Sequence, residues 1–258
     1  MRSLILLASS AVLVAVATAG CSPIQLGSDT GGEKGNLRFE YSSCFFGCSL
    51  DQKALQGSQI SISAKGGDPN TALVARLAGD PVGSIASQAQ SCSCNSSSGN
   101  GSSSRTVGTG EKCAKTETKS CTVSVDIETK LAGDAKLEVV DPSGTVVDRV
   151  TVRVRPAARI ELDVHGRKAN DQGIYLVQSG EKLQIGSKVL DADGVAMIFA
   201  KHGVTQAYAD QDIVAPDSSV LFGSTDVEDA VAKRAGETSL TVRAVGAESV
   251  VKFRVSKP

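Results

Sequence analysis

Along most of the chain apolar and polar residues alternate one by one. In Arg159-Ile160-Glu161-Leu162-Asp163-Val164 the alternation has no error, and Leu183, Ile185 and Val189 keep the same parity in the next run. Asp191-Ala192-Asp193-Gly194 then marks a turn. Leu240, Val242 and Ala244 alternate with Thr241 and Arg243, and Val251, Phe253 and Val255 alternate with Lys252 and Arg254. Period two puts every second side chain on one face of a strand, so these segments predict half-buried strands. Several such strands, separated by Gly, Asp and Ser turns, predict an all-β antiparallel sandwich or barrel. No segment shows a capped helical stripe. Val227 to Arg234 comes nearest, and it is short.

The pattern repeats. Leu131 to Val139 resembles Arg234 to Val242 at an offset of 103 residues, and Val150 to Val154 resembles Val251 to Val255 at an offset of 101. Further upstream, Ile60 and Ile62 match Leu183 and Ile185 at an offset of 123. The first copy therefore carries about 20 extra residues between Ile62 and Leu131. They are visible as the Ser/Gly-rich stretch Ser91 to Gly110, whose composition predicts a surface loop unable to bury a core. A turn at Asp141-Pro142-Ser143-Gly144 joins two strands of the first copy. Pro156, in Arg155-Pro156-Ala157, suits the junction between copies because it cannot donate to a sheet ladder.

The N-terminus is of another kind. Arg2 is followed by an uncharged run from Leu4 to Ala17, too short to span a bilayer core and suited to the apolar region of a secretory signal. The next residues, Thr18-Ala19-Gly20-Cys21, resemble the lipobox of bacterial lipoprotein precursors, with Thr where Leu is usual. That resemblance implies diacylglycerol on the Cys21 thiol, cleavage before it, and a chain held on a membrane. Ser22, rather than Asp, implies the outer membrane by the same likeness. Gly27, Gly31, Gly32 and Gly35, mixed with Ser, Asp and Thr, predict a flexible tether.

If Cys21 carries lipid, six cysteines remain: Cys44, Cys48, Cys92, Cys94, Cys113 and Cys121. In an oxidising compartment an even number reads as three disulfides, with the pairing open among 15 possibilities. Cys92 and Cys94 are too close in sequence for a relaxed bond to each other. Four of the six flank the Ser/Gly stretch, which suggests a long loop closed at its base, a bridge worth roughly 3 kcal/mol in the chain-entropy model.

The second half, about residues 157 to 257, resembles the group 2 bacterial immunoglobulin-like domains of surface proteins and adhesins. The residues that carry the likeness are Ser179-Gly180-Glu181-Lys182-Leu183, Asp191-Ala192-Asp193-Gly194, Asp217-Ser218-Ser219-Val220 and Ala235-Gly236-Glu237-Thr238-Ser239-Leu240-Thr241-Val242. The Trp common in that family is absent, and Tyr208 stands near its place. The repeat length is that of an immunoglobulin-like domain. The expected order is a signal peptide (1–20), a lipid anchor and tether (21–35), a disulfide-containing sandwich (36–155) with its insertion at about 91–112, and an immunoglobulin-like sandwich (156–258).

Composition narrows the function. A net charge of -1, with 27 basic residues that form no run, argues against nucleic acid as a partner. Aromatic content of 3%, with no Trp, leaves few stacking platforms for sugars. His165 and His202 are the only histidines, and although Asp210 follows His202, no Gly-x-Ser-x-Gly elbow accompanies them. Both sit beside glycines and read as surface residues. Asp141 and Asp148 read as solvated hairpin carboxylates. Asp191-x-Asp193 begins like a calcium loop but has Val195 at the next ligand position and no Glu at the twelfth. A four-sulfur zinc site from Cys92, Cys94, Cys113 and Cys121 would lack C-x₂-C spacing. The sequons at Asn95 and Asn100 read as composition. The expectation is a non-enzymatic envelope module with no cofactor or metal. Its contacts would be the membrane, through lipid, and an envelope protein or surface ligand. A docking lipoprotein that uses a sheet edge, or a hydrolase built in the inserted stretch, are the competing expectations.

Overall fold

The period-two segments become strands because alternation gives each one an apolar face, and two such faces can close on each other. The computed structural model describes residues 30–42, 48–68, 70–98, 101–108, 111–115, 117–222 and 225–258. The expected signal peptide, Cys21 and residues 22–29 lie outside the described residues, as does Cys44. Among the described residues every regular element is a strand, so no helix there is long and apolar enough to cross a membrane.

Residues 30–155 supply β1 (Thr30–Gly31), β2 (Leu37–Tyr41), β3 (Ala54–Leu55), β4 (Ser58–Gly66), β5 (Val74–Gly79), β6 (Gly83–Ser98), β7 (Gly101–Val107), β8 (Thr118–Thr129), β9 (Gly133–Val140) and β10 (Val146–Arg155). The rest supplies β11 (Arg159–Val164), β12 (Ile174–Gln178), β13 (Lys182–Leu190), β14 (Lys201–His202), β15 (Val204–Tyr208), β16 (Val214–Phe222), β17 (Thr225–Ala232), β18 (Gly236–Ala244) and β19 (Ala247–Ser256). The first sandwich closes the sheet β1-β2-β4-β8-β6-β7 on β3-β10-β9-β5, and the second closes β11-β13-β17-β16 on β12-β19-β18-β15. Phe39, Ile60, Ile127, Leu137 and Val152 meet in the first core; Ile185, Val189, Leu240, Val242 and Phe253 meet in the second. Tyr208 packs against the second core. The two halves are immunoglobulin-like β-sandwiches of one pattern. Ile60 pairs with Ile127, and the repeat-equivalent Leu183 pairs with Ala230. The segment nearest to a helical pattern, Val227 to Arg234, lies largely in β17.

Two expectations are corrected here. The tether was expected to run to residue 35, but residues 30–36 are folded onto the first sandwich. Glu33 N–H donates to Arg149 C=O at 2.9 Å, and the Asp148 carboxylate accepts the N–H groups of Lys34, Asn36 and Leu37 at 2.8 Å each. Glu33 also forms ion pairs with Lys136 and Arg149. A Cβ on Gly32 would lie 2.2 Å from the Asp148 carboxyl carbon, so only glycine fits there. Asp148, expected to be a solvated hairpin residue, is fully buried at 0% exposure. Burial works against its charge, yet four backbone N–H donors, from Lys34, Leu37, Arg149 and Asn36, hold its pKa below the usual carboxylate range. Alternation could not reveal this, because the pairing at β10 slips at a bulge between Val146 and Asp148.

The two sandwiches also exchange core residues across the junction at Pro156. Leu55, from the first half of the chain, is buried in the second core, while Ile198, from the second half, is buried in the first. The backbone follows the side chains. Leu55 N–H donates to Ile198 C=O and Ile198 N–H to Lys53 C=O, both at 2.9 Å. Ala200 N–H donates to Gln59 C=O at 2.7 Å, and β14 then pairs antiparallel with β4 through Lys201–Gln59 and His202–Ser58. A Cβ on Gly203 would lie 2.6 Å from that of Ser58, so the seam is closed to larger residues at this point. Lys53 adds a link to Asp191 at 3.0 Å and to Asp193 at 2.5 Å.

Two outcomes follow from this architecture. Ile198→Ala should cost about 2–5 kcal/mol, as for other fully buried aliphatics, and hydrogen exchange should rise at Ile60 and Ile127 in the first sandwich. A rise confined to residues 159–256 would contradict the exchange of core residues. Asp148→Ala should cost about 1–3 kcal/mol by leaving the buried Leu37 N–H and the part-buried N–H groups of Lys34, Asn36 and Arg149 without their acceptor. Because the folded pKa is depressed, the stabilisation is present above the unfolded carboxylate pKa and is lost as pH falls through the folded one. Acid should therefore expose residues 30–36 to protease in the parent chain before the sandwiches unfold, and Asp148→Ala should expose them at neutral pH.

Candidate functional site: the disulfide-pinned strand extension

The two copies differ most at the hairpin that ends β16 and β17 in the second. There Phe222 pairs with Thr225, with two residues between them. The equivalent pair in the first copy is Ser91 with Thr122, and thirty residues lie between them. This is the stretch expected to be a low-complexity loop. It is instead three-stranded sheet: β6 runs on to Ser98, β7 returns beside it to Val107, and β8 flanks it from Thr118. Seven residues at about 3.3 Å each carry β6 roughly 23 Å past Ser91. Composition pointed to a loop because Ser, Gly and Asn have low strand propensity and bury little. The signal that could have corrected it was the parity of the cysteines, since Cys92, Cys94 and Val107 fall on one face.

That face is closed by sulfur. Cys92 is bonded to Cys121 and Cys94 to Cys113, and with Val107 they form a small third core against which Cys113 packs. Cys48 is disulfide-bonded as well, while Cys44 lies outside the described residues. The hairpin between Ser98 and Gly101 has two intervening residues, so its closing pair is hydrogen-bonded and alternate pairs follow. Cys92 therefore turns its backbone groups toward Val107 and meets Cys121 in a non-hydrogen-bonded pair. Such pairs have the closer Cα atoms, and theirs are 4.1 Å apart. The second bond has a topological role. β7 lies on one side of β6 and β8 on the other, so residues 108–117 must cross β6, and Cys94–Cys113 pins that crossing.

Charges complete the closure. Arg105 on β7 reaches Glu111 at 3.1 Å and Glu117 at 3.3 Å. The N–H of Gly108 and then the Arg105 guanidinium hold the Glu111 pKa below the usual range; the N–H of Ala114 and then Arg105 do the same for Glu117. The Lys119 ammonium donates to Glu111 C=O at 2.7 Å.

The opposite face is a lattice of small polar side chains. Across the strands, Ser63 pairs with Ser124 and Ser124 with Ala89; Thr122 pairs with Ser91; Ser120 pairs with Ser93 and Ser93 with Thr106; Thr118 pairs with Asn95 and Asn95 with Ser104. Near its base the Asp126 carboxylate accepts hydrogen bonds from Ser61 at 2.5 Å and Ser87 at 2.7 Å, which hold its pKa low.

The remaining candidates do not converge. His165, with a side chain 79% exposed, and His202, also exposed, lie on different elements. His202 has φ of 58° and belongs to the interdomain seam. Both oxygens of Asp191 are engaged: one accepts the N–H groups of Asp193 and Val195 at 2.9 Å, and the other faces Lys53. Asp141 accepts from Ser143 and Thr145 within its own turn. Cys94, Cys113 and Glu117 place possible ligand atoms within 4.8 Å of one another, but the two sulfurs are bonded together. An open polar cleft at the far end of the second sandwich gathers His165, Arg167, Lys182, Gln184, Asp217 and Asp229. Lys182 is paired there with Asp217 at 3.2 Å, and Arg167 with Glu181.

No protein-family model matches the chain, and no curated protein sequence matches it. Among solved structures, the Escherichia coli adhesin FdeC is similar at 15% identity and a TM-score of 0.33, over 80% of this chain and 61% of that one. The Yersinia pseudotuberculosis adhesin InvE is similar at 10% and 0.32, over 88% and 62%. Domains 4 and 5 of the S-layer protein SbsC are similar at 17% and 0.29, over 50% and 68%. The chain thus spans under two thirds of either adhesin chain. Likenesses of this size add no weight to a functional reading.

The double variant Cys94→Ser, Cys113→Ser should release the crossing segment. Hydrogen exchange should rise at 101–120, while the amides of Ile60 and Ile127 stay protected. Unchanged exchange at 101–120 would show that the Arg105 ion pairs suffice without the bond.

Proposed function

We propose that this chain is a non-enzymatic, membrane-anchored module of the bacterial envelope with a structural or adhesive task. The observation that carries the reading is the exchange of Leu55 and Ile198, which makes two sandwiches into one stiff body that holds a rigid extension at one end. An enzyme gathers reactive groups in a concave, water-poor site. Here the polar groups with unusual environments, Asp148 and Asp191, hold backbone turns and seams. The lipobox-like Thr18-Ala19-Gly20-Cys21 supports the anchor. Eight residues separate Cys21 from Thr30, the start of the first described strand, and eight residues span at most about 26–29 Å. Attachment on this scale keeps the module close to the bilayer.

The mature protein is expected to partition into the detergent phase, and Cys21→Ala to move it to the aqueous phase. Wild-type protein that is wholly aqueous, with an N-terminal residue other than Cys21, would remove the anchor from the account.

A further inference from the structure

We propose that the outer edge of β12 is a docking site for an extended aliphatic segment, kept shut by the Arg167 and Glu181 side chains, which take that segment's place. The first copy shows the same site filled. There β3 pairs parallel with β10, through Ala54–Val154 and Leu55–Arg155. Its other side carries Ile198, which lies opposite Ala54 in parallel. The Ile198 C=O accepts from Leu55 N–H and the Ile198 N–H donates to Lys53 C=O, both at 2.9 Å.

β12 is the same strand in the second copy. It pairs parallel with β19 through Val177–Val255 and Gln178–Ser256, and each of the two strands stands first in its four-stranded sheet. The turns that follow match as well. Gln56 N–H donates to Arg155 C=O and Gly57 N–H to Thr129 C=O; Ser179 N–H donates to Ser256 C=O and Gly180 N–H to Ala232 C=O. At the offset of 123 residues that also relates Ile60 to Leu183, Lys53, Ala54, Leu55 and Ser58 correspond to Leu176, Val177, Gln178 and Glu181.

The two backbone groups that hold Ile198 therefore have counterparts in the Leu176 C=O and the Gln178 N–H. Side chains occupy both. The Arg167 guanidinium donates to Leu176 C=O at 3.2 Å, and the Glu181 carboxylate accepts from Gln178 N–H at 2.9 Å. A guanidinium thus fills the place of a strand N–H, and a carboxylate that of a strand C=O, which covers the edge. The pair is bonded to itself, and its side chains keep 28% and 31% of their surface exposed, whereas Ile198 is wholly buried. An open cleft of about 500 Å³ lies beside it, lined also by Leu176, Val177, Gln178, Arg254 and Ser256. Exposed Gln178 replaces Leu55, so this site lacks the exchanged side chain that makes the seam permanent.

The filled site defines the occupant. It is an extended segment of another immunoglobulin-like domain, which runs parallel to β12, offers it one N–H and one C=O, and carries a central aliphatic side chain. Val177 stands where the first copy has Ala54, so the seat is shallower and takes Val in place of Ile. A second copy of this chain does not supply the segment, because its Ile198 is buried in its own seam. Docking exchanges two hydrogen bonds to side chains for two to backbone. What favours it is burial, chiefly of Leu176, which is 56% exposed.

The probe is a fluorescent peptide with the sequence of residues 195–201 and Val in place of Ile198. It is titrated into the full chain carrying Cys21→Ser, which keeps the test independent of the lipid anchor. Weak binding is expected, and binding at least about tenfold tighter once Arg167→Ala and Glu181→Ser open the edge. Ser is the residue of the first copy at that turn, so the turn should still form. Hydrogen exchange locates the peptide: the Gln178 amide should gain protection while that of Leu55 stays unchanged. In the opened chain, Gln178→Pro removes the N–H that the peptide needs and should abolish the gain. An opened chain that binds no tighter than its parent, binding that protects Leu55 and not Gln178, or binding that survives Gln178→Pro would overturn the proposal.

Discussion

Leu55 and Ile198 are each buried in the core of the domain to which they do not belong by sequence. Removing either from water is worth about 1.5–3 kcal/mol, and each is realised only while both sandwiches are folded and in register. The rest of the seam depends on that exchange. With Ile198 seated, residues 198–202 lie alongside residues 53–59, where the hydrogen bonds of Leu55, Ile198 and Ala200 and the β14–β4 pairing are made. Lys53 and Asp191 then meet at the same seam. Two immunoglobulin-like units that a flexible junction at Pro156 would have left as beads become one body. Gly203 and Gly246 sit where the chains approach too closely for any side chain, with would-be Cβ distances of 2.6 Å to Ser58 and 2.5 Å to the Ala157 carbonyl.

The two ends of the first sandwich solve a different problem, that of ordering chain with little apolar surface. At the N-terminal side, residues 30–36 contribute few buried groups, and their order comes from the buried Asp148 carboxylate that accepts their backbone donors, together with the Glu33 contacts to Arg149 and Lys136. In the extension, Ser and Gly strands cannot fund their own order by burial, and two disulfides and the Arg105 pairs take the place of a core. In both places polar or covalent bonds do what hydrophobic burial does elsewhere in the molecule. The result is a rigid platform with one face of cystine and the other of hydroxyls.

Much of this architecture was legible in the sequence. Alternation at 159–164 and 251–255 identified half-buried strands, and the repeat offsets correctly paired Ile60 and Ile62 with Leu183 and Ile185, down to their partners across the sheet. The parts that were not legible share a physical cause. Alternation reports which face of a strand is buried, but not against what. Leu55 and Ile198 look like ordinary core residues of their own domains. Asp148 looks solvated because its burial arises from a bulge and from a segment 111 to 114 residues away. The Ser/Gly stretch looks like loop because propensity is a statement about burial, and here the burial is supplied by cystine. That the cysteines around the Ser/Gly stretch close it was visible, but their spacing did not show that one of the bonds, Cys94–Cys113, pins a crossing beneath β6.

Calorimetric melting of the oxidised chain, with and without reductant, tests the coupling of the two sandwiches most directly. The second sandwich contains no cysteine, so reductant can reach it only through the seam. The account predicts that its unfolding shifts downward together with that of the first. A first transition that moves under reductant while a second stays in place would show two independent domains and contradict the account.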